Sequence, residues 1–181
     1  MARRYRTPVG GSAGIVQDAC GTQAQVSAVI VSVRVKASPQ EAFEVFTQDI
    51  AVWWRPNGLF QLTPRGDGAL RFEPGEGGRL VTDLPGGKTF EIGRITDWRP
   101  GAHLAFTWRQ ATFAEDRVTH VSVRFESLDG ETRVTVEHRG WDAIPQEHVA
   151  RHGFPLHVFQ IRQGEHWRAL LAALAEAAGK R

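Results

Sequence analysis

Cysteine is nearly missing from this 181-residue chain, with Cys20 alone. One thiol excludes an internal disulfide and every multi-cysteine zinc site. Lysine is scarce as well: only Lys36, Lys88 and Lys180 occur among 22 basic residues, a compositional bias with no recognition pattern in it. No apolar run approaches the ~20 residues of a membrane-spanning helix. The stretch "MARRYRTPVGGSAG" carries arginines with no apolar segment after them, so no secretory signal is expected. The expectation is a cytoplasmic protein without membrane contact.

A basic stripe is lacking too. The pI of ≈ 9.1 at first suggests nucleic acid. Yet Arg3, Arg4 and Arg6 against Asp18 give residues 1–27 a charge of +2, the whole formal charge of the chain, so residues 28–181 sum to zero. A duplex binder carries its charge on the folded domain, and no nucleic-acid partner is expected. Phosphate loops and nucleophile elbows are absent; "EPGEGG" and "PGGK" read as hairpin turns.

What is present suits one soluble domain: 41% hydrophobic and 23% charged residues over an ordinary domain length. Residues 1–27 are rich in small and polar types without periodicity and read as a flexible tail. Residues 28–178 read as a single domain. "VIVSVRVKA" alternates as a half-buried strand from Val29. "SPQEAFEVF" follows, with Ser38 as cap, Pro39 at the first helical position and Glu41 completing a capping box, which predicts a helix over 39–51. Short strands come next in "ALRFEP", "GGRLVTDL", "KTFEIGRITDW", "AHLAFTWR", "RVTHVSVRFE" and "TRVTVEH", with turns at Gly77–Gly78 and Pro85–Gly86. Asp129–Gly130 is a two-residue hairpin turn. It sets a register in which Phe125 faces Val134, Val123 faces Val136, Val121 faces His138 and Glu126 meets Arg133. The chain closes on a long amphipathic helix with Ile161, Trp167, Leu170, Leu171 and Leu174 on one stripe, loosened near Gly164. Strand, helix, many antiparallel strands, long helix is an α+β order: a curved antiparallel sheet gripping a C-terminal helix.

From about residue 28 to 178 the chain resembles the helix-grip (START-like, SRPBCC) superfamily, which includes lipid-binding, Bet v-type and polyketide cyclase domains. Within it the chain is most similar to bacterial homologues of the activator of the 90-kilodalton heat-shock protein ATPase. The resemblance rests on "ASPQEAFEVFT", "WW" at 53–54, "FEPGEGGRL", "EIGRITDWRPGAHLAFTW", "VSVRFESLDGETRVTVEHRGWD" and Trp167 followed by "LLAAL". It implies a cavity between sheet and helix, and no fixed catalytic set. Where relatives read Gly-Trp at the last helix, this chain reads "GEHW".

Within "TRVTVEHRGWDAIP", alternation splits the dense cluster. His138 joins the apolar face, while Glu137 and Arg139 face away. His138 is an acid, base or ligand contact, or a histidine satisfied by a backbone carbonyl. The inward aromatics are a ligand wall or plain core. The candidate ligand-binding set is Trp54, Phe72, Trp98, Phe106, Trp108, Phe125, His138 and Trp167. His148 and His152 are four apart but lack a third ligand; no metal, cofactor or catalytic residue is assigned. The expected partner is an apolar or aromatic small molecule, with a homodimer or protein partner left open. Three functions remain. One is a binding module; one is a cyclase, dehydratase or hydrolase using His138 as acid–base; one is a chaperone-modulating interaction module. A second polar group converging on His138 would favour the enzyme.

Overall fold

Leu128 pairs with Glu131 across Asp129 (φ 53°) and Gly130 (φ 81°), a tight turn with both central residues left-handed. The computed structural model describes residues 27–181; the expected tail, apart from Ser27, lies outside the described residues. The turn joins β6 (Thr119–Leu128) to β7 (Glu131–Arg139) in the predicted register: Phe125 opposite Val134, Val121 opposite His138, Glu126 opposite Arg133. Around this hairpin, β1 (Ala28–Val35), β2 (Ala69–Phe72), β3 (Arg79–Leu84), β4 (Lys88–Arg99) and β5 (His103–Trp108) complete one antiparallel sheet of order β1-β7-β6-β5-β4-β3-β2.

The sheet curves where its register slips. Bulges fall between Leu80 and Val81 and between Ile95 and Asp97, and each bends the strand that carries it. Gly93 lies between them on β4. A Cβ there would stand 1.6 Å from the Thr107 carbonyl oxygen, so only glycine lets the two backbones come this close.

Ser38 and Glu41 form the predicted reciprocal cap on α1 (Pro39–Gln48). The single helix expected over 39–51 divides at Asp49 into α1 and a short α2 (Ile50–Trp53). The last helix, α3 (Leu156–Ala178), is continuous, so the loosening expected at Gly164 does not occur: Gly164 sits in an unbroken run against Val29. Ile161 also departs from expectation. It is 59% exposed, because six residues before Trp167 is a third of a turn off the buried stripe; Phe159, Gln163 and Gly164 take that place.

Two apolar clusters result. The larger fills the concave face of the sheet, with Phe43 and Phe46 from α1 and Trp167, Leu170, Leu171 and Leu174 from α3. The smaller gathers Phe60, Phe113, Trp141, Ile144, Ala150 and Phe159 at one end of the sheet. Among the described residues no helix is long and apolar enough to cross a membrane.

Candidate functional site

A small chamber of ≈ 10 Å³ lies where the two clusters meet. The indoles of Trp54, Trp108, Trp141 and Trp167 and the ring of Phe60 wall it. The polar ends of His138, Gln163, His166 and Gln110 also line it. Each wall has a local cause. β7 alternation turns His138 inward, and its side chain is 1% exposed. Gly140 (φ 95°) then turns the chain so that Trp141 folds back, its ring 5.3 Å from the imidazole. On α3, positions 163, 166, 167 and 170 share one face, so Gln163 and His166 enter beside Trp167.

The hydrogen bonds of His138 determine its tautomer. Trp167 Nε1 donates to Nδ1 at 3.3 Å, and an indole nitrogen can only donate. Nδ1 is therefore the acceptor and the ring proton is on Nε2. That proton is donated to Thr119 Oγ1 at 2.8 Å, and the Thr119 hydroxyl donates in turn to the Trp108 carbonyl. Gln163 lies 3.2 Å from the same Nδ1 and must present its amide nitrogen. Its Oε1 is then turned away, and it is buried with no partner among the described residues, as is Trp141 Nε1. Burial, reinforced by His120 and His166, holds the His138 pKa down to about 3; burial brings His166 to about 4. Both imidazoles are neutral at ordinary pH. His166 stacks on Phe60 at 5.0 Å and makes no side-chain hydrogen bond to a described residue.

Gln110 also lines a second space, an open groove of ≈ 280 Å³ bounded by Leu59, Leu62, Pro64, Val149 and Ala150. Buried Arg151 holds one bank of it. Its guanidinium donates to the carbonyls of Trp141, Ile144 and Phe154 and lies over Phe159. His148 and His152 flank a single 3-10 turn rather than one helical face. They bind the backbone at Thr112 and at Leu59, respectively.

The expected site residues divide three ways. Trp54, Trp108, His138 and Trp167 meet in the chamber. Phe72 and Trp98 line a separate groove of ≈ 230 Å³ beside α1, with Phe43, Pro74 and Pro100. Phe106 and Phe125 are core residues between, packed on Phe72 and on Phe43 and Phe46. Sequence reasoning missed Phe60, Gln110, Trp141, Gln163 and His166. For Gln163 and His166 a signal existed, since two polar residues on an apolar helical stripe are unusual.

Asp97, His103 and Ser122 hydrogen-bond in the order of a nucleophile triad, Nδ1 to the carboxylate and Nε2 to Oγ at 2.8 Å. They lie across β4, β5 and β6, next to the bulge between Ile95 and Asp97. The trio ties three neighbouring strands together as a cross-strand brace.

Over 123 residues, 68% of its length, this chain is 30% identical to the mouse activator of 90 kDa heat shock protein ATPase homolog 1 and spans only 32% of that protein's length. An anthrahydroquino-gamma-pyrone synthase of known structure is 30% identical, with a TM-score of 0.50 over 84% of this chain and 97% of the other. Protein MLL2253 from Mesorhizobium loti, 17% identical, superposes with a TM-score of 0.58 over 85% of this chain and 98% of its own. The model of the activator of Hsp90 ATPase homolog 1-like proteins matches residues 36–178, which take in α1, strands β2 to β7 with both bulges and the gripping helix α3, and the chain belongs to that family.

Proposed function

We propose that this domain binds a small apolar or aromatic molecule where the open groove meets the tryptophan-walled chamber. One observation carries the reading: a groove of ≈ 280 Å³ shares the Gln110 side chain with a chamber whose lining residues Trp141 and Gln163 each have a buried polar atom without a partner among the described residues. The name of the 30%-identical synthase supports an aromatic polycycle as the ligand type. Trp54, Trp108, His138 and Trp167 form the inner contacts, and Leu59 and Val149 the outer ones.

Catalysis by His138 is the weaker reading. Polar groups do converge on it, but Thr119, Gln163 and Trp167 occupy both ring nitrogens and its pKa is near 3. An acid–base catalyst needs a free nitrogen and a pKa near working pH. Modulation of a chaperone ATPase is the other reading, favoured by the mouse relative. It predicts stimulation of ATP hydrolysis by a 90-kDa heat-shock protein.

Calorimetric titration with a series of hydroxyanthraquinones tests the binding reading. Saturable one-site binding is expected, and Val149→Glu, a change at an exposed groove position, should weaken it without altering the melting temperature. No saturable binding across the series overturns the proposal.

A further inference from the structure

The chamber has a chemical polarity that names the ligand group it takes. Trp141 Nε1 is a donor, and Gln163 Oε1 an acceptor. Both are buried and without partners among the described residues, and both side chains line the same small space. The Gln163 assignment follows from its neighbour: because Trp167 donates to His138 Nδ1, the amide nitrogen must face the imidazole and the carbonyl oxygen must face away.

Resting on the binding reading above, we propose that this site selects a neutral hydroxyl on an aromatic body, with the ring in the groove and the hydroxyl in the chamber. A hydroxyl accepts from Trp141 Nε1–H and donates to Gln163 Oε1, satisfying both at once. The size agrees: ≈ 10 Å³ admits one group the size of a water molecule, while the ≈ 280 Å³ groove takes rings.

Charged groups fit worse on the same evidence. A carboxylate would meet an opposing acceptor at Gln163 with no lysine or arginine lining the chamber, and both histidines there are neutral. An ammonium would meet the Trp141 N–H. Four indoles can make a cation cage, but here the rings pack on each other, Trp54 on Trp108 at 5.6 Å and on Trp167 at 6.2 Å, leaving no room for a methylated nitrogen.

The test is calorimetric titration at neutral pH with 2-naphthol, naphthalene, 2-naphthoate and tetramethylammonium. 2-Naphthol should bind roughly tenfold more tightly than naphthalene, the worth of one good hydrogen bond. Naphthoate and tetramethylammonium should show no saturable binding. Gln163→Met and Trp141→Phe should each narrow the gap between naphthol and naphthalene, and the double variant should close it. If both variants fail to fold, the four-probe ranking on the wild type decides. Equal affinity for naphthol and naphthalene overturns the hydroxyl inference while leaving the binding reading intact, and would mean that the polar pair serves a buried water. Preferred binding of naphthoate or tetramethylammonium also overturns it. Binding of none of the four, nor of any anthraquinone, overturns both.

Discussion

Trp167 Nε1 lies 3.3 Å from His138 Nδ1, and this contact links the last helix to the last strand through a residue that can only donate. It sets the tautomer of the imidazole, and through it the orientation of Gln163 and the direction of the hydrogen bond to Thr119. Of the alternatives the sequence left open for His138, satisfaction by a backbone carbonyl is not the one found: three side chains, Thr119, Gln163 and Trp167, hydrogen-bond to the ring.

These bonds change the expected effect of His138→Gln. As a lone inward histidine it would be nearly neutral to replace. Here a glutamine points its carbonyl and amide groups in directions unlike those of the two ring nitrogens, so it does not keep Thr119, Gln163 and Trp167 all bonded. A loss of about 1–3 kcal/mol in denaturant unfolding is expected from the polar groups left unmatched. A loss under half a kcal/mol would show that the network rearranges freely.

Stability should fall with acid before the carboxylates titrate. His138 and His166 stay neutral in the folded protein down to about 3 and about 4, whereas in the unfolded chain they protonate near 6.5. Between those values the unfolded state binds more protons, so stability is full above ~6.5 and declines toward pH 4, by up to ~1.4 kcal/mol per pH unit for each histidine. Melting temperatures from pH 7.5 to 4.5 measure the slope, and His166→Gln should flatten it.

Arg151 is buried and makes no ion pair among the described residues, with Glu147 acting on it only from a distance; its charge is spread over three carbonyls. Replacing it with methionine should cost about 2–4 kcal/mol, since those carbonyls lose a charged donor. Lysine should not rescue, because a single ammonium cannot reproduce the guanidinium fork. Recovery of the wild-type melting temperature by Arg151→Lys would refute this account.

Gly164→Ala should stabilise the protein by ~0.5–1 kcal/mol, the usual gain in a helix interior. The added Cβ would meet Val29 at 3.7 Å, an ordinary contact. Thermal unfolding measures it, and a loss of stability would mean that helix and strand are already as close as they can be.

The regular elements were legible in the sequence because each had a local signature. Asp129–Gly130 specified the β6–β7 register, and Ser38 with Glu41 specified where α1 begins. The chamber was only half legible. Trp54, Trp108, His138 and Trp167 lie on or beside periodic segments. Phe60, Gln110 and Trp141 come from connections whose positions depend on contacts made only after folding, such as the Arg151 bonds. Ile161 departs from the stripe for a different reason: alanines in α3 widen its apolar arc, and an apolar residue six positions before Trp167 resembles a stripe residue while facing solvent.

The chamber sits on the seam between the larger cluster, which supplies Trp54, Trp108 and Trp167, and the smaller, which supplies Phe60 and Trp141. The first is backed by the sheet, while the second is held by Arg151 and by the backbone contacts of His148 and His152, so the two should open as separate units of unequal strength. In native-state hydrogen exchange the amides of the 3-10 turns at Trp141–Ala143 and Val149–Arg151 should open together, well below the free energy that releases β6 and β7. A ligand would then enter by parting the weaker unit from the stronger, with no need to melt the fold.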